Sequence, residues 1–185
     1  MRKQLFSITL LVALPAIAGA GPITMNSPVP PTPSRLELQV TSSAFVAHQP
    51  IPPEFTCDGT ETSPPLAWST VPRDTKSVAI LVDDPDTSHG SFTHWLVTGI
   101  SPINNSLPAG VSLSQGAVAA KNSKGETGYT GPCPPAGRHR YYFHVFALDT
   151  VIAAPATKLD FLREIDGHVL ADGQLMGTYQ RTTTP

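Results

Sequence analysis

Three carboxylates crowd into four residues, Asp83-Asp84-Pro85-Asp86, directly after the apolar run Ser77–Val82. Two histidines, His94 and His139, stand at the N-terminal ends of further apolar runs, Thr93–Ile100 and Tyr141–Leu148. If those runs pair antiparallel, the acidic end of the first and the histidine ends of the others meet on one rim. A carboxylate beside two imidazoles favours their protonated, donating forms. Gly131-Pro132-Cys133-Pro134-Pro135 leads towards His139. There proline restricts φ and glycine permits unusual backbone shapes, so the loop is stiff and can present free N–H groups. Imidazole N–H groups, the Tyr141 hydroxyl and loop amides together make an anion receptor. The residues alone also permit plainer roles. Aspartates at a strand end cap turns, Asp84 is pushed towards extended geometry by Pro85, and His94 reads equally as a hydrogen-bonded core residue.

Asp84, His94 and His139 also resemble a metal triad in residue type, since neutral imidazoles suit zinc. A hydrolase is therefore an alternative, but no close ligand pair such as HExxH appears, and no serine lies in a nucleophile elbow. No metal, cofactor or catalytic residue is assigned. His144 falls within an apolar run and reads as a bonded core residue. His168 follows Gly167 in a helical pattern and reads as packing or a local cap. His89 reads as a solvated loop residue, with an extra rim donor as the alternative.

The elements that must position these groups are mostly strands. Leu36-Glu37-Leu38-Gln39-Val40 alternates with period two, the pattern of a half-exposed strand. Ser63-Pro64-Pro65-Leu66 and Trp68 read as a loop feeding a short strand. Ser77–Val82, Thr93–Ile100 and Tyr141–Leu148 are strands, the last apolar at both parities and so covered on both faces. Asn104–Gly128 reads as loops and short pieces. Ala156–Ala171 spaces Leu159, Leu162, Ile165, Val169 and Leu170 by threes and fours, which predicts a helix with Gly173 as its stop. Gln174–Arg181 adds a last strand. Short strands with one late helix give a mainly β, sandwich-like fold; a parallel α/β sheet would need helices between the strands.

The chain of 185 residues carries a net charge of −2. Arg2 and Lys3 precede an apolar run from Leu5 to Ile17, and Ala18-Gly19-Ala20 is a small-residue cleavage pattern. Residues 1–20 thus read as a secretory signal peptide cleaved after Ala20, with a run too short to span a bilayer comfortably. Residues 21–34 hold five prolines and read as an extended tether. Residues 35–185 form a single domain, exported to the periplasm or secreted, with no transmembrane segment once the signal is removed. No basic run with interleaved aromatics exists, which argues against nucleic acid. In an oxidising compartment Cys57 and Cys133 invite a disulfide; two separate buried thiols are the alternative.

Taken together, Asp84-Pro85-Asp86, His94-Trp95 and Gly131-Pro132 through His139-Arg140-Tyr141 resemble the phosphatidylethanolamine-binding protein family, closest to its bacterial Raf-kinase-inhibitor-like branch. Phe55-Thr56-Cys57-Asp58-Gly59, Ser63-Pro64-Pro65-Leu66, Gly128-Tyr129, Gly167-His168-Val169-Leu170 and Gly177-Thr178-Tyr179 extend the likeness over nearly the whole domain. The resemblance implies a β-sandwich with a C-terminal helix and short peripheral helices. It also implies a non-catalytic rim pocket for phosphate-type anions, such as a phospholipid head group, formed by Asp84, His94, Gly131, His139 and Tyr141. In it His94 and His139 would donate to the anion, Asp84 would charge and orient an imidazole, Gly131 would allow close approach, and Tyr141 would shape the wall. Relatives also suggest a protein partner, with inhibition or modulation of a protease or kinase. Two segments depart from the family pattern, Asp86-Thr87-Ser88-His89 and Asn122-Ser123-Lys124-Gly125, both in loops expected at the pocket rim.

Overall fold

The apolar runs become the central strands of one sheet. The computed structural model describes residues 35–113 and 116–181; the signal peptide (1–20) and the proline-rich tether (21–34) expected from the sequence lie outside the described residues. Nine strands follow in order: β1 (Leu36–Glu37), β2 (Val40–Thr41), β3 (Leu66–Trp68), β4 (Ser77–Asp84), β5 (Phe92–Ile100), β6 (Ser106–Leu107), β7 (Val118–Ala119), β8 (His139–Leu148) and β9 (Val169–Tyr179). One helix, α1 (Lys158–Glu164), and one 3-10 turn, Pro53–Phe55, complete the described elements. The larger sheet runs β1-β9-β8-β4-β5-β7 and the smaller β2-β3-β6. Pairing is antiparallel except between β1 and β9.

β4 is apolar at both parities because both of its faces are covered. Val78, Ile80 and Val82 join Leu66, Trp68, Phe143, Val145 and Leu175 in the core shared by the two sheets. Ala79 and Leu81 face the other way and pack with Leu96, Phe161 and Ile165 beneath α1. Each fully buried large apolar side chain contributes roughly 1.5–3 kcal/mol. This double coverage makes β4 a rigid rail whose last two residues, Asp83 and Asp84, must leave on opposite faces.

Three sequence expectations change in detail. Leu36–Val40 is not one strand. Leu38 N–H donates to Asp172 O at 2.8 Å, then Gln39 O accepts from Ser69 N–H at 3.0 Å, so the chain passes from the larger sheet to the smaller one. The helix is shorter than the predicted Ala156–Ala171. Thr157 caps its start, and Gly167, at φ +80°, turns the chain into β9, which absorbs Val169 and Leu170. Its buried anchors are Phe161 and Ile165, whereas Leu159 and Leu162 are exposed. The strand ends also extend further than the apolar runs, so Asp83, Asp84 and His139 sit on the ladder itself.

Candidate functional site

The rim cluster forms because β4 lies between two antiparallel partners. Asp83 pairs with Thr93 of β5 and with Tyr142 of β8, placing the end of β4 beside the starts of both neighbours. Simple alternation along β5 would send His94 to the helix side with Leu96, since Trp95 and Val97 belong to the inter-sheet core. The ladder slips there: Val82 pairs with Trp95 but Asp83 pairs with Thr93, leaving His94 as the extra residue of a bulge. A bulge re-aims a side chain. His94 thereby comes to lie edge-on to Tyr141, with ring centroids 5.2 Å apart.

Asp84 and His139 form the cluster's charged half. His139 Nδ1 lies 2.7 Å from Asp84 Oδ2, and both side chains are buried. A carboxylate only accepts, so the proton in this bond sits on Nδ1, and Nε2 is left for a ligand. Asp84 Oδ1 accepts Asp86 N–H at 2.8 Å, which fixes the turn after β4. Asp86 in turn grips Arg140 through a bidentate pair, with Nε and Nη2 at 2.9 and 2.6 Å, and accepts the Arg140 backbone N–H at 2.9 Å. Those Arg140 bonds hold the Asp86 carboxyl at about 2, below the usual carboxylate range. The Asp84–Asp86 turn therefore holds His139 through its side chain and the next residue, Arg140, through both backbone and guanidinium.

His94 is positioned differently. Its Nδ1–H donates to Thr130 O at 2.8 Å, and its own carbonyl accepts Thr130 N–H at 3.0 Å. Burial pushes the imidazole pKa below its ordinary value; the Thr130 bond and the Asp84 charge oppose that, while Lys124 reinforces it. The ring is thus neutral near pH 7, with Nε2 an acceptor. In this form His94 donates to an anion through Nε2 only after gaining a proton. Tyr141 is fully buried; its hydroxyl makes no hydrogen bond of good geometry among the described residues, but it lies close enough to Asp84 for a weak one. Burial first, and the Asp84 charge second, push its pKa up, so the hydroxyl stays protonated and can donate.

Gly131 enters the cluster from the loop Gly128–Pro135. A Cβ placed there would meet Thr56 Cα and C at 2.8 Å and Phe55 O at 3.0 Å. Glycine is needed here because two backbones touch. The two loops are joined further by the Cys57–Cys133 disulfide, by Cys57 N–H to Pro132 O at 3.1 Å, and by Tyr129 O–H to Phe55 O at 2.8 Å. Of the two readings for the cysteines, the disulfide is the one present. The Gly131 N–H itself points towards Glu61 Oε1 at 3.3 Å, a residue the sequence reading missed. Glu61 lies in Thr-Glu-Thr, with no periodicity to mark it. It also lines a cavity of about 280 Å³ with Trp95 and Tyr129.

Back-to-back with this cluster lies a second one. Asp83, on the helix side of β4, accepts His144 Nε2–H at 3.1 Å, Ser91 O–H at 2.7 Å and Lys158 Nζ–H at 2.5 Å. Burial would raise its pKa, but these bonds outweigh that and hold it far below the ordinary value. Through Lys158 this network straps α1 to the sheet. His144 is half-buried there, not a core residue. His168 pairs with Asp149 at 2.7 Å on the surface and lies outside the helix, and His89 is an exposed loop residue. Among the described residues no group of three His, Cys, Asp or Glu is placed to hold a metal.

A buried histidine–carboxylate rim on a two-sheet β fold is the class of protein this geometry defines. The family model described as phosphatidylethanolamine-binding protein matches residues 41–180. CT736 of Chlamydia trachomatis, described as a homologue of that protein, superposes with a TM-score of 0.74 at 42% identity, covering 78% of this chain and 98% of its own. E. coli YbcL, described as a member of the mammalian PEBP family, gives 0.73 at 31% identity over 79% of this chain and 99% of its own. LppC of Mycobacterium tuberculosis, named as a lipoprotein, is 35% identical over 188 residues, covering 94% of this chain and 92% of its own. The chain belongs to the phosphatidylethanolamine-binding protein family.

Proposed function

We propose that this is an exported, non-catalytic binding protein whose rim cluster receives a phosphate-type anion, such as a phosphomonoester or a phospholipid head group. The observation that carries the reading is the buried His139–Asp84 pair beside His94 and the ring of Tyr141, whose hydroxyl is held protonated. That hydroxyl has a proton to give, and both imidazoles keep Nε2 for a ligand. Their Nδ1 atoms are held by Thr130 O and by Asp84, so the receptor is arranged before ligand arrives and the ordering cost of binding is small. Binding rather than catalysis is favoured because the hydroxyl that lines the cluster is held protonated by burial and by Asp84, the opposite of an activated nucleophile. Export is supported by the Cys57–Cys133 disulfide, which persists in oxidising compartments, and by the lipoprotein name of LppC.

The test is an NMR titration of labelled protein with inorganic phosphate and then phosphoethanolamine, following the ring signals of His94 and His139. Saturable shifts that disappear in His94→Ala and His139→Ala are expected. Rings that stay unmoved at millimolar ligand would end the proposal. A larger response to phosphoethanolamine than to phosphate would point to the head group.

A further inference from the structure

The Gly131 amide, next to the Thr130 that holds the His94 ring, already has an anion beside it. Glu61 Oε1 lies 3.3 Å from Gly131 N and 3.5 Å from Thr130 Oγ1, with Lys124 Nζ at 3.8 Å from the same oxygen. We propose that Glu61 is a resident competitor: its carboxylate occupies the Gly131 N–H, and an anion entering the rim pocket must displace it. This rests on the pocket reading above, and it makes Glu61 the residue that sets which anions bind and how tightly.

The geometry supports displacement over permanent closure. All three contacts are longer than the 2.7–2.9 Å of a strong charge-assisted bond. The side chains of Glu61 and Lys124 are 41% and 42% exposed, whereas Asp84, His94, His139 and Tyr141 are buried. The carboxylate beside Gly131 is therefore open to solvent, whereas the cluster groups are buried. The Glu61 charge raises the Tyr129 pKa, and Lys124 bears on His94. Glu61 takes the left-handed backbone region at φ +53°, which a glutamate adopts only at some cost, so the surrounding loop holds it there.

The consequence is a threshold on affinity. An anion that could make only the Gly131 contact gains nothing over Glu61. One that also bonds Tyr141 and the two imidazoles does. The observed Kd is the intrinsic Kd divided by the fraction of molecules with Glu61 swung away. If the carboxylate is in place nine-tenths of the time, its removal tightens phosphate binding about tenfold.

Two variants test this. Glu61→Gln keeps length and shape without charge. Glu61→Asn is too short to reach Gly131 and adopts the left-handed region readily, so it spares the backbone. In wild-type protein without added anion, the Gly131 amide signal should differ from that of both variants, because only wild type holds a carboxylate beside it. With inorganic phosphate, Glu61→Asn should bind about tenfold tighter than wild type, and Glu61→Gln should fall between them. Equal phosphate affinity in all three proteins, or a Gly131 signal blind to any carboxylate, overturns the inference while leaving the pocket reading intact. Failure of phosphate to move His94 in wild type and in both variants overturns the two together, because there is then no anion for Glu61 to exclude.

Discussion

Replacing Gly131 by alanine separates two reasons for a glycine at this position. If the residue is small so that a ligand can approach the backbone, alanine leaves the free protein's stability alone and harms only binding. The packing around Gly131 argues otherwise. The new Cβ would stand 2.8 Å from Thr56 Cα and C, about 0.6 Å inside ordinary contact, and the obstacle is backbone. That backbone cannot slide away, because the Cys57–Cys133 disulfide and the Cys57 to Pro132 hydrogen bond tie the two loops within two residues of the clash. Overpacking of this kind costs roughly 1–3 kcal/mol, which for a domain of this size lowers Tm by about 2–12 °C. The strain should also pass to Thr130 and so to the His94 ring it holds. Urea unfolding and calorimetry of Gly131→Ala, with the His94 ring signals recorded without ligand, check both parts. A variant as stable as wild type, within about 0.5 kcal/mol, with unmoved His94 signals, would refute the packing argument and return the glycine to the ligand.

Three further outcomes are expected. Removing the disulfide by Cys57→Ser with Cys133→Ser opens a loop spanning 76 positions and should cost about 4.5 kcal/mol by loop entropy, measured by urea unfolding; a loss below about 1 kcal/mol would mean the loops are held by their hydrogen bonds alone. Because the fold lowers the His94 pKa, the unfolded chain takes up a proton that the native protein refuses as pH falls below about 6.5. Stability should therefore hold above that pH and decline below it, by at most about 1.4 kcal/mol per pH unit from this one group. Subtracting the profile of His94→Asn should remove that slope, and identical slopes would show His94 to be solvated. Asp83→Ala leaves Lys158, His144 and Ser91 without their shared acceptor and should cost roughly 2 kcal/mol, discounted because Lys158 is partly exposed. Hydrogen exchange should show α1 opening first, and uniform loss of protection across the sheet would contradict the strap.

Much of this protein was legible in its sequence because the signals are local. Continuous apolar runs announce strands covered on both faces, and each of the three runs became a central strand of one sheet. Proline and glycine mark the loops, and an even cysteine pair in a chain that reads as exported suggested the disulfide that the structure contains. The antiparallel argument that gathers Asp84, His94 and His139 on one rim needed only the positions of charge at the ends of those runs. The order of motifs across the domain carried the family resemblance.

What tertiary structure alone decided turns on single residues and their facing partners. Period-two alternation would have put His94 beneath the helix; a one-residue slip in the β4–β5 ladder turns it to the inner face, and no local pattern encodes a slip between distant strands. The parity of Asp83 and Asp84 is readable, but not that one straps a helix through Lys158 while the other holds His139. Leu159 and Leu162 mimic a buried helical stripe, yet the sheet beneath α1 receives Phe161 and Ile165. That Gly131 has no room for a side chain is visible only once Thr56 is seen against it. Residue type and spacing are properties of the chain, whereas which atom faces which is set only when segments dozens of residues apart compete for the same space.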